Sequence, residues 1–303
     1  MPSENSMASL PHINVCVCTY KRPELLLKLL REVERQQTDN RFTFSIIISD
    51  NDSQQSARAV VEKFAAGSNV KTVYCAEPRS NIALARNKAL EHATGDFVAF
   101  IDDDEFPLPD WLMMMWKACE EYQAAGILGP VRPFFATPPP SWVIKGHFCD
   151  RPEPPTGRIM DWEESRTGNL LFRRKILDGE AQPFDPHFGT GGEDKDFFMR
   201  MTERGHVFRW CNEGITYEDV PPARLTRSYM LKRALLRGKN ILKNPKDRAR
   251  ILATSAVATP VYLIILLPTL IAGHHHFMKY CIKLCDHLGR LLAFVGINPV
   301  GDR

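Results

Sequence analysis

The sequence predicts an α/β fold, a mostly parallel sheet wrapped by helices, with further helices at its C-terminal end. Three observations predict it. Strand-like apolar runs alternate with helix-patterned segments about every 25–30 residues through the first hundred positions, which is the rhythm of a parallel sheet with crossover helices. Polar or acidic residues stand directly after several of those runs, at the edge where such sheets bind ligands. Beyond residue 223 the pattern changes to a basic stretch and then to a long uncharged one.

Residues 13–18 are a short apolar run ended by Thr19-Tyr20-Lys21-Arg22-Pro23, a strand and its loop. Residues 24–37 have helical spacing, with Leu26, Leu29, Leu30 and Val33 on one face. Residues 44–48 read as a second strand, closing on Ser49-Asp50-Asn51-Asp52-Ser53. A helix over 57–66, a strand over 70–75 and a helix over 81–93 follow, and the strand 97–101 runs straight into Asp102-Asp103-Asp104-Glu105. Residues 130–155, rich in proline and aromatics, are expected as a long loop over the sheet edge, 167–175 as a strand entering a turn, and the body is expected to end near Pro221-Pro222. The ligand-edge rule selects Thr19, Asp50 and the four acids. No GxGxxG follows the first strand and no GxxxxGK[ST] occurs, so the common dinucleotide and P-loop sites are excluded.

The chain has 303 residues, 44% apolar and 25% charged, a globular balance that excludes a disordered chain. Its formal net charge of +3 conceals a division. Residues 224–250 hold ten Lys/Arg and one Asp, a net of +9; residues 251–303 carry +2, leaving −8 for residues 1–223. An acidic body joined to a basic stripe implies two functional parts. The eight cysteines are scattered without a CxxC pair, so neither a zinc site nor a disulfide framework is expected, and they read as small buried hydrophobes. The first twelve residues are polar and lack an apolar signal core, which places the body in a reducing cytoplasm.

Four adjacent acids at a strand end raise one another's pKa unless a cation is present, and hard oxygen ligands of this kind suit Mg²⁺ or Mn²⁺ together with substrate phosphates. Alone, the cluster reads equally as a solvated acidic turn. Downstream, Gly189-Thr190-Gly191-Gly192-Glu193-Asp194 places glycines before acids in a first helical turn; that is either an ordinary N-terminal preference or a second carboxylate site. Together the two motifs supply a metal site and a separate carboxylate base.

The series Val17-Cys18-Thr19-Tyr20-Lys21-Arg22-Pro23, Asp50, Ala85-Arg86-Asn87, the aspartate triplet and Gly-Gly-Glu-Asp closely resembles the family-2 inverting glycosyltransferases over about residues 13–222. More narrowly, Pro78-Arg79-Ser80-Asn81-Ile82-Ala83, Gly129-Pro130-Val131 and the segment 190–198 look like the bacterial succinoglycan β-1,4-glucosyltransferase group, which extends a lipid-pyrophosphate-linked oligosaccharide during exopolysaccharide synthesis. The resemblance implies a GT-A fold, a Rossmann-like nucleotide-diphospho-sugar transferase sheet, over residues 1–223. It implies a UDP-sugar donor, glucose being the expected sugar, and a lipid-linked acceptor. Thr19 and Asp50 would hold the nucleoside, Asp50 accepting from uracil, and Arg86 would reach the base or diphosphate. Asp102 and Asp104 would form the DxD pair, Asp104 on the metal and Asp102 on ribose or a metal-bound water, with Asp103 between them at the donor. Asp194 would be the general base, Glu193 beside it. One departure is Tyr217 before Glu218, where related sequences often carry a metal-ligating His.

A nucleotidyltransferase would want an early Gly/Lys-rich phosphate loop, which is missing. A glycosidase would use two carboxylates but leave the nucleoside-type positions unexplained. A nucleotide-sugar-binding scaffold would have no need of Asp194.

Residues 224–303 are expected to form a membrane-associating segment. Arg227, Lys232, Arg233, Arg237, Lys239, Lys243 and Lys246 interleave with leucines, a basic amphipathic helix suited to a membrane surface rather than to nucleic acid. Residues 251–273 carry no charge over 23 positions, long enough to span a bilayer; Pro260 and Pro268 leave a kinked span or a re-entrant hairpin open. The basic flank places the body at the cytoplasmic face of a bacterial inner membrane. His274-His275-His276 fan around a helix and cannot converge on a metal, so they read as an interfacial polar cap. Residues 277–297 read as a second interfacial helix.

Overall fold

Alternation along the strands builds the sheet. In β1 (His12–Thr19), Ile13, Val15 and Val17 enter one apolar layer and Cys16 the other; in β4 (Phe97–Ile101), Phe97, Ala99 and Ile101 enter the first and Val98 and Phe100 the second. Strands apolar on both faces must be covered on both faces, which is the condition for a parallel sheet between helices. The computed structural model describes residues 9–189, 191–241 and 248–297. Its other elements are α1 (Pro23–Glu34), β2 (Thr43–Asp50), α2 (Arg58–Gly67), β3 (Thr72–Ala76), α3 (Ile82–Glu91), β5 (Glu105–Pro107), α4 (Trp111–Glu121), β6 (Gly126–Leu128), β7 (Val131–Phe134), α5 (Ser141–Lys145), β8 (Asn169–Arg173), α6 (Glu193–Glu203), β9 (Phe208–Trp210), β10 (Thr216–Asp219), α7 (Arg227–Ile241), α8 (Arg248–Ala272) and α9 (His274–Phe294).

The main sheet has the order β3-β2-β1-β4-β8-β6-β9. Only β8 runs against its neighbours, antiparallel to both β4 and β6. A small second sheet has the order β5-β10-β7. Helix α1 buries Leu26, Leu29, Leu30 and Val33, the stripe expected from their spacing. All eight cysteines are free thiols.

Asn169, the first residue of β8, ties together four chain segments. Its Oδ1 accepts from Trp111 Nε1 at 2.9 Å, its Nδ2 donates to the carbonyls of Pro130 (3.0 Å) and Gly214 (2.7 Å), and its own carbonyl accepts from Gly129 N. A buried amide with every polar atom matched fixes loops that have little apolar surface of their own.

The described residues divide into two units, one up to Arg132 with Arg151–Glu218, the other Pro133–Asp150 with Asp219 onward. The segment expected as a long loop thus carries β7 and α5, and its middle belongs to the second unit. There Val143 is buried with Val220 and Leu225 in a cluster bordered by Phe135, Trp142, Phe148 and Met230. A five-residue helix amid prolines is too short to show a period, which is why the spacing does not announce it. The expected basic helix is seen as α7 and the start of α8, while Leu242, Lys243 and Lys246 lie outside the described residues, as does Thr190. Helix α8 continues through Pro260 and Pro268.

Candidate active site

Register brings the strand ends to one edge. Thr19 lies opposite Asp50, Asp50 opposite Ala76, Cys16 opposite Phe100 and Ile101 opposite Asn169. The residues that follow β1, β2 and β4 and precede the reversed β8 therefore share the carboxyl edge of the sheet, the ligand-binding edge of such folds.

The four acids after β4 take different directions. Asp103 is buried and accepts from Thr19 Oγ1 at 2.8 Å and from Arg22 Nη1 at 2.9 Å; the same Arg22 nitrogen reaches Asp104 at 3.2 Å. Burial raises the Asp103 pKa, with Arg22 and the Thr19 hydroxyl opposing. Glu105 is buried, accepts from Thr216 Oγ1 at 3.0 Å and is held well above the usual carboxylate range, by burial first and then by the charge of Asp102. Asp102 alone opens outward, its side chain 52% exposed, with Arg86 Nη2 at 3.8 Å. Enclosure by the site pushes it up to about 6, against the pull of Arg86 and with the like charges of Asp104, Asp103 and Glu218 adding to the rise. Water reaches half of this side chain, so its desolvation is partial and it ionises more readily than the shut-in Glu105.

Helix α3 presents Arg86 to a second carboxylate. Arg86, buried, pairs through Nη1 with buried Glu193 Oε1. Glu193 Oε2 has no partner among the described residues, and burial raises the Glu193 pKa against the pull of Arg86. The same helix holds the loop leading to α6. Asn81 caps α3 by accepting from Leu84 N and donates to the Pro186 carbonyl (2.9 Å); Asn87 exchanges two hydrogen bonds with the backbone of Phe184, at 2.7 and 2.9 Å. A Cβ on Gly189 would fall 2.1 Å from the Asn81 side chain, and Gly191 and Gly192 have φ of 121° and 101°, so this tight approach requires glycine. It delivers Glu193, Asp194 and Asp196 to the first turn of α6, where negative charge is favoured. Asp194 is half-buried, and its Oδ1 accepts from Lys195 N at 2.8 Å.

Thus Asp102, Arg86 and Glu193 form one network with Asp194 adjoining, and Thr19, Asp103, Arg22 and Asp104 form another, both rooted in the same acidic turn. Asp50 stands apart. It is 0% exposed; Oδ1 accepts from Asp52 N (3.1 Å), Oδ2 from Ala57 N (2.9 Å) and from Tyr74 Oη (3.0 Å). In this arrangement Asp50 faces the 50–57 loop, Oδ1 accepting one hydrogen bond and Oδ2 two. Arg86 lies between two carboxylates, Glu193 and Asp102. Arg22, Asn81 and Asn87 carry contacts that the spacing did not single out; the signal for Arg22 was a cation directly before proline at a strand end of an acidic body.

Residues 14–180 match the family model described as Glycosyl transferase family 2. The chain belongs to that family. It is 36% identical over 232 residues to the succinoglycan biosynthesis protein ExoM of Rhizobium meliloti (strain 1021), covering 75% of this chain and 73% of that protein. Over 119 residues, 37% of this chain and 36% of the relative, it is 30% identical to the GalNAc(5)-diNAcBac-PP-undecaprenol beta-1,3-glucosyltransferase of Campylobacter jejuni subsp. jejuni serotype O:2. The mannosyltransferase PcManGT from Pyrobaculum calidifontis, solved with GDP-Man and Mn²⁺, shares its fold with a TM-score of 0.63 at 16% identity, over 94% of this chain and 88% of that one. The expected GT-A sheet is therefore the fold of this family 2 glycosyltransferase.

For a divalent cation, the acidic turn is a fitting but open donor set. Among the described residues no three or more His, Cys, Asp or Glu side chains gather into a closed cage, and Tyr217 stacks on Phe106 with centroids 5.6 Å apart. Glu218, opposite Glu105 in β10, pairs with Arg151. Mg²⁺ sites built from one or two carboxylates and completed by substrate phosphates have this open character.

Proposed function

We propose that this family 2 glycosyltransferase moves a hexose, glucose as the expected sugar, from a UDP-sugar to a lipid-pyrophosphate-linked oligosaccharide in bacterial exopolysaccharide synthesis, with inversion, at the cytoplasmic face of the membrane. The carrying observation is the Asp102–Arg86–Glu193 bridge, which sets a half-open Asp194 beside an acidic turn of the type that receives a metal and diphosphate. The acceptor class is supported by the succinoglycan and PP-undecaprenol relatives, the membrane by the long exposed apolar helix α8. The UDP nucleotide rests on the sequence resemblance.

Each residue has a task in this reading. Thr19 and Arg22 hold Asp103 inward, which leaves Asp102 open towards the donor, with Asp104 beside it on the same Arg22. A divalent cation held by Asp102 and Asp104 would offset the charge that builds on the departing diphosphate. Arg86 neutralises Glu193 and fixes the first turn of α6, so that Asp194 can take the acceptor hydroxyl's proton from the face opposite the leaving group. A single displacement from that face inverts the anomeric centre. Asp50 shapes the loop beneath the nucleoside by holding the Asp52 and Ala57 amides.

The test is nucleotide release by the full-length protein, with UDP-glucose, UDP-galactose, UDP-N-acetylglucosamine and GDP-mannose offered in parallel to a membrane-extracted lipid-pyrophosphate oligosaccharide. Acceptor-dependent release of UDP is expected, abolished by chelator, and Asp104→Ala should lower kcat by at least about a hundredfold, the scale of a lost Lewis-acid contact. Release from GDP-mannose alone would overturn the UDP reading, and full activity in excess chelator the metal reading.

A further inference from the structure

Helix α8 is built inside out. The side that meets α9 carries Ser255 and Thr269, both buried, and half-buried Tyr262. The side left open carries Val257, Val261, Ile264, Leu267 and Ile271, the last two 69% and 92% exposed. An apolar face of 25 helical residues, about 37 Å long at 1.5 Å per residue, needs an apolar environment. Length and composition would let α8 cross a bilayer. What decides its orientation is α9.

A single residue, Gly273 with φ 124°, joins the two helices, and α9 returns along α8. His287 Nδ1 lies 3.1 Å from Ser255 Oγ, and Tyr262 stacks on His287 and lies tilted against Tyr280, with centroids 5.5 and 6.1 Å apart. Depth along α9 therefore follows depth along α8 to within about one helical turn at these pairs. Lys283, ten residues past Gly273, is exposed. Were α8 upright across a membrane, Lys283 would lie about 15 Å from the turn, close to the middle of a hydrocarbon layer about 30 Å thick, and exposed Lys279 would lie in the same layer. Charges in such a place are rare and costly. Helix α7 follows α9 through the paired Arg237–Asp286 contacts at 2.8 and 2.7 Å, so its exposed Lys232 and Arg233 would be carried along.

We propose that α8 lies in the plane of an anionic bilayer surface, its Val257-to-Ile271 stripe sunk into the headgroup and upper acyl region, with α9 and α7 on the aqueous side. The occupant of the open apolar stripe is lipid because the same unit carries exposed cations alongside it in sequence, on α9 packed with α8, and on α7 packed with α9: Arg227, Lys232 and Arg233 on α7, Arg248 and Arg250 at the start of α8, Lys279 and Lys283 on α9. In-plane helices of this kind combine apolar insertion with attraction to anionic lipid. The inference rests on the membrane reading above and gives it one geometry: this unit is monotopic and places no segment of α8 or α9 on the far side.

The test measures depth along α8 in the full chain. p-Azidophenylalanine is placed singly at Val257, Ile264 and Ile271, tagged with an environment-sensitive dye, and bound to vesicles of phosphatidylcholine and phosphatidylglycerol carrying a spin label high or low on the acyl chain. All three positions should be quenched more by the high label, with equal ratios, since an in-plane helix keeps its face at one depth of roughly 5–10 Å. Preferential quenching of Ile264 by the low label, with Val257 and Ile271 staying shallow, would mean that α8 crosses, and the proposal would be overturned while the membrane reading stood. Absence of quenching at all three positions would overturn both and assign the stripe to a protein partner. Weaker vesicle binding when phosphatidylglycerol is left out is the expected companion result; unchanged binding would refute the anionic surface.

Discussion

Asp194→Asn should lower glycosyl transfer by roughly 10²–10⁴ while leaving donor binding in place, the usual scale for removing a general base. The structure separates Asp194 from its neighbour Glu193 by environment. Glu193 is shut in, its side chain 7% exposed and paired with Arg86, so it cannot approach an acceptor hydroxyl without abandoning a buried cation. Asp194 sits one residue later on the same helical turn, half-buried, with no arginine paired to it among the contacts described. Asparagine keeps the size, and its side-chain oxygen still accepts from Lys195 N, so the first turn of α6 is preserved and only proton acceptance is lost. Single-turnover transfer measures the chemical step and calorimetry with UDP measures the donor site. A near-normal rate in the variant would reduce Asp194 to a charge that complements the helix N-terminus.

The parts of this architecture that could be read from the chain are those in which a residue's own period reports its environment. The Leu26–Val33 stripe foretold the buried face of α1, and the apolar run before Asp102 foretold a strand delivering acids to the sheet edge. What escaped depends on partners distant in sequence. Arg86 meets Glu193 across 107 positions and Asn87 meets Phe184 across 97, so the Ala85-Arg86-Asn87 motif could be recognised without showing that it clamps the second carboxylate loop. The direction of the Asp50 carboxylate is set by Tyr74 on the neighbouring strand and by Ala57 seven residues on; position at a strand end says only which edge it occupies, not which way it turns. Likewise the helix α5, five residues between prolines, is stabilised by Val220 and Leu225 from much later in the chain. Periodicity carries no information about such a contact.

Arg86→Met should cost about 3–5 kcal/mol of folding stability at neutral pH, the typical penalty for stripping one partner from a buried ion pair. Both side chains are buried, at 8% and 7% exposure, so solvent cannot replace the missing cation. Methionine retains much of the arginine's volume and can keep contact with the Phe184 ring, over which the guanidinium now lies at 5.5 Å; the loss therefore reports charge more than packing. Glu193 already has its pKa raised above its ordinary value of 4.5, because burial outweighs the pull of Arg86. An acid whose folded value exceeds its unfolded one binds its proton more tightly when folded, so its contribution to stability falls as pH rises from 4.5 towards the folded value. Without Arg86 that folded value climbs further and the window widens upward. The variant's deficit should accordingly be larger at pH 7.5 than at pH 5, where Glu193 can take up a proton in the folded state. Urea denaturation at the two pH values gives the comparison, with Arg86→Lys as the control that restores charge but not the planar fork, and that should recover part of the stability at pH 7.5. An equal deficit at both pH values, unaffected by lysine, would mean that Arg86 serves α3 by its bulk alone and that Glu193 is not held ionised by it.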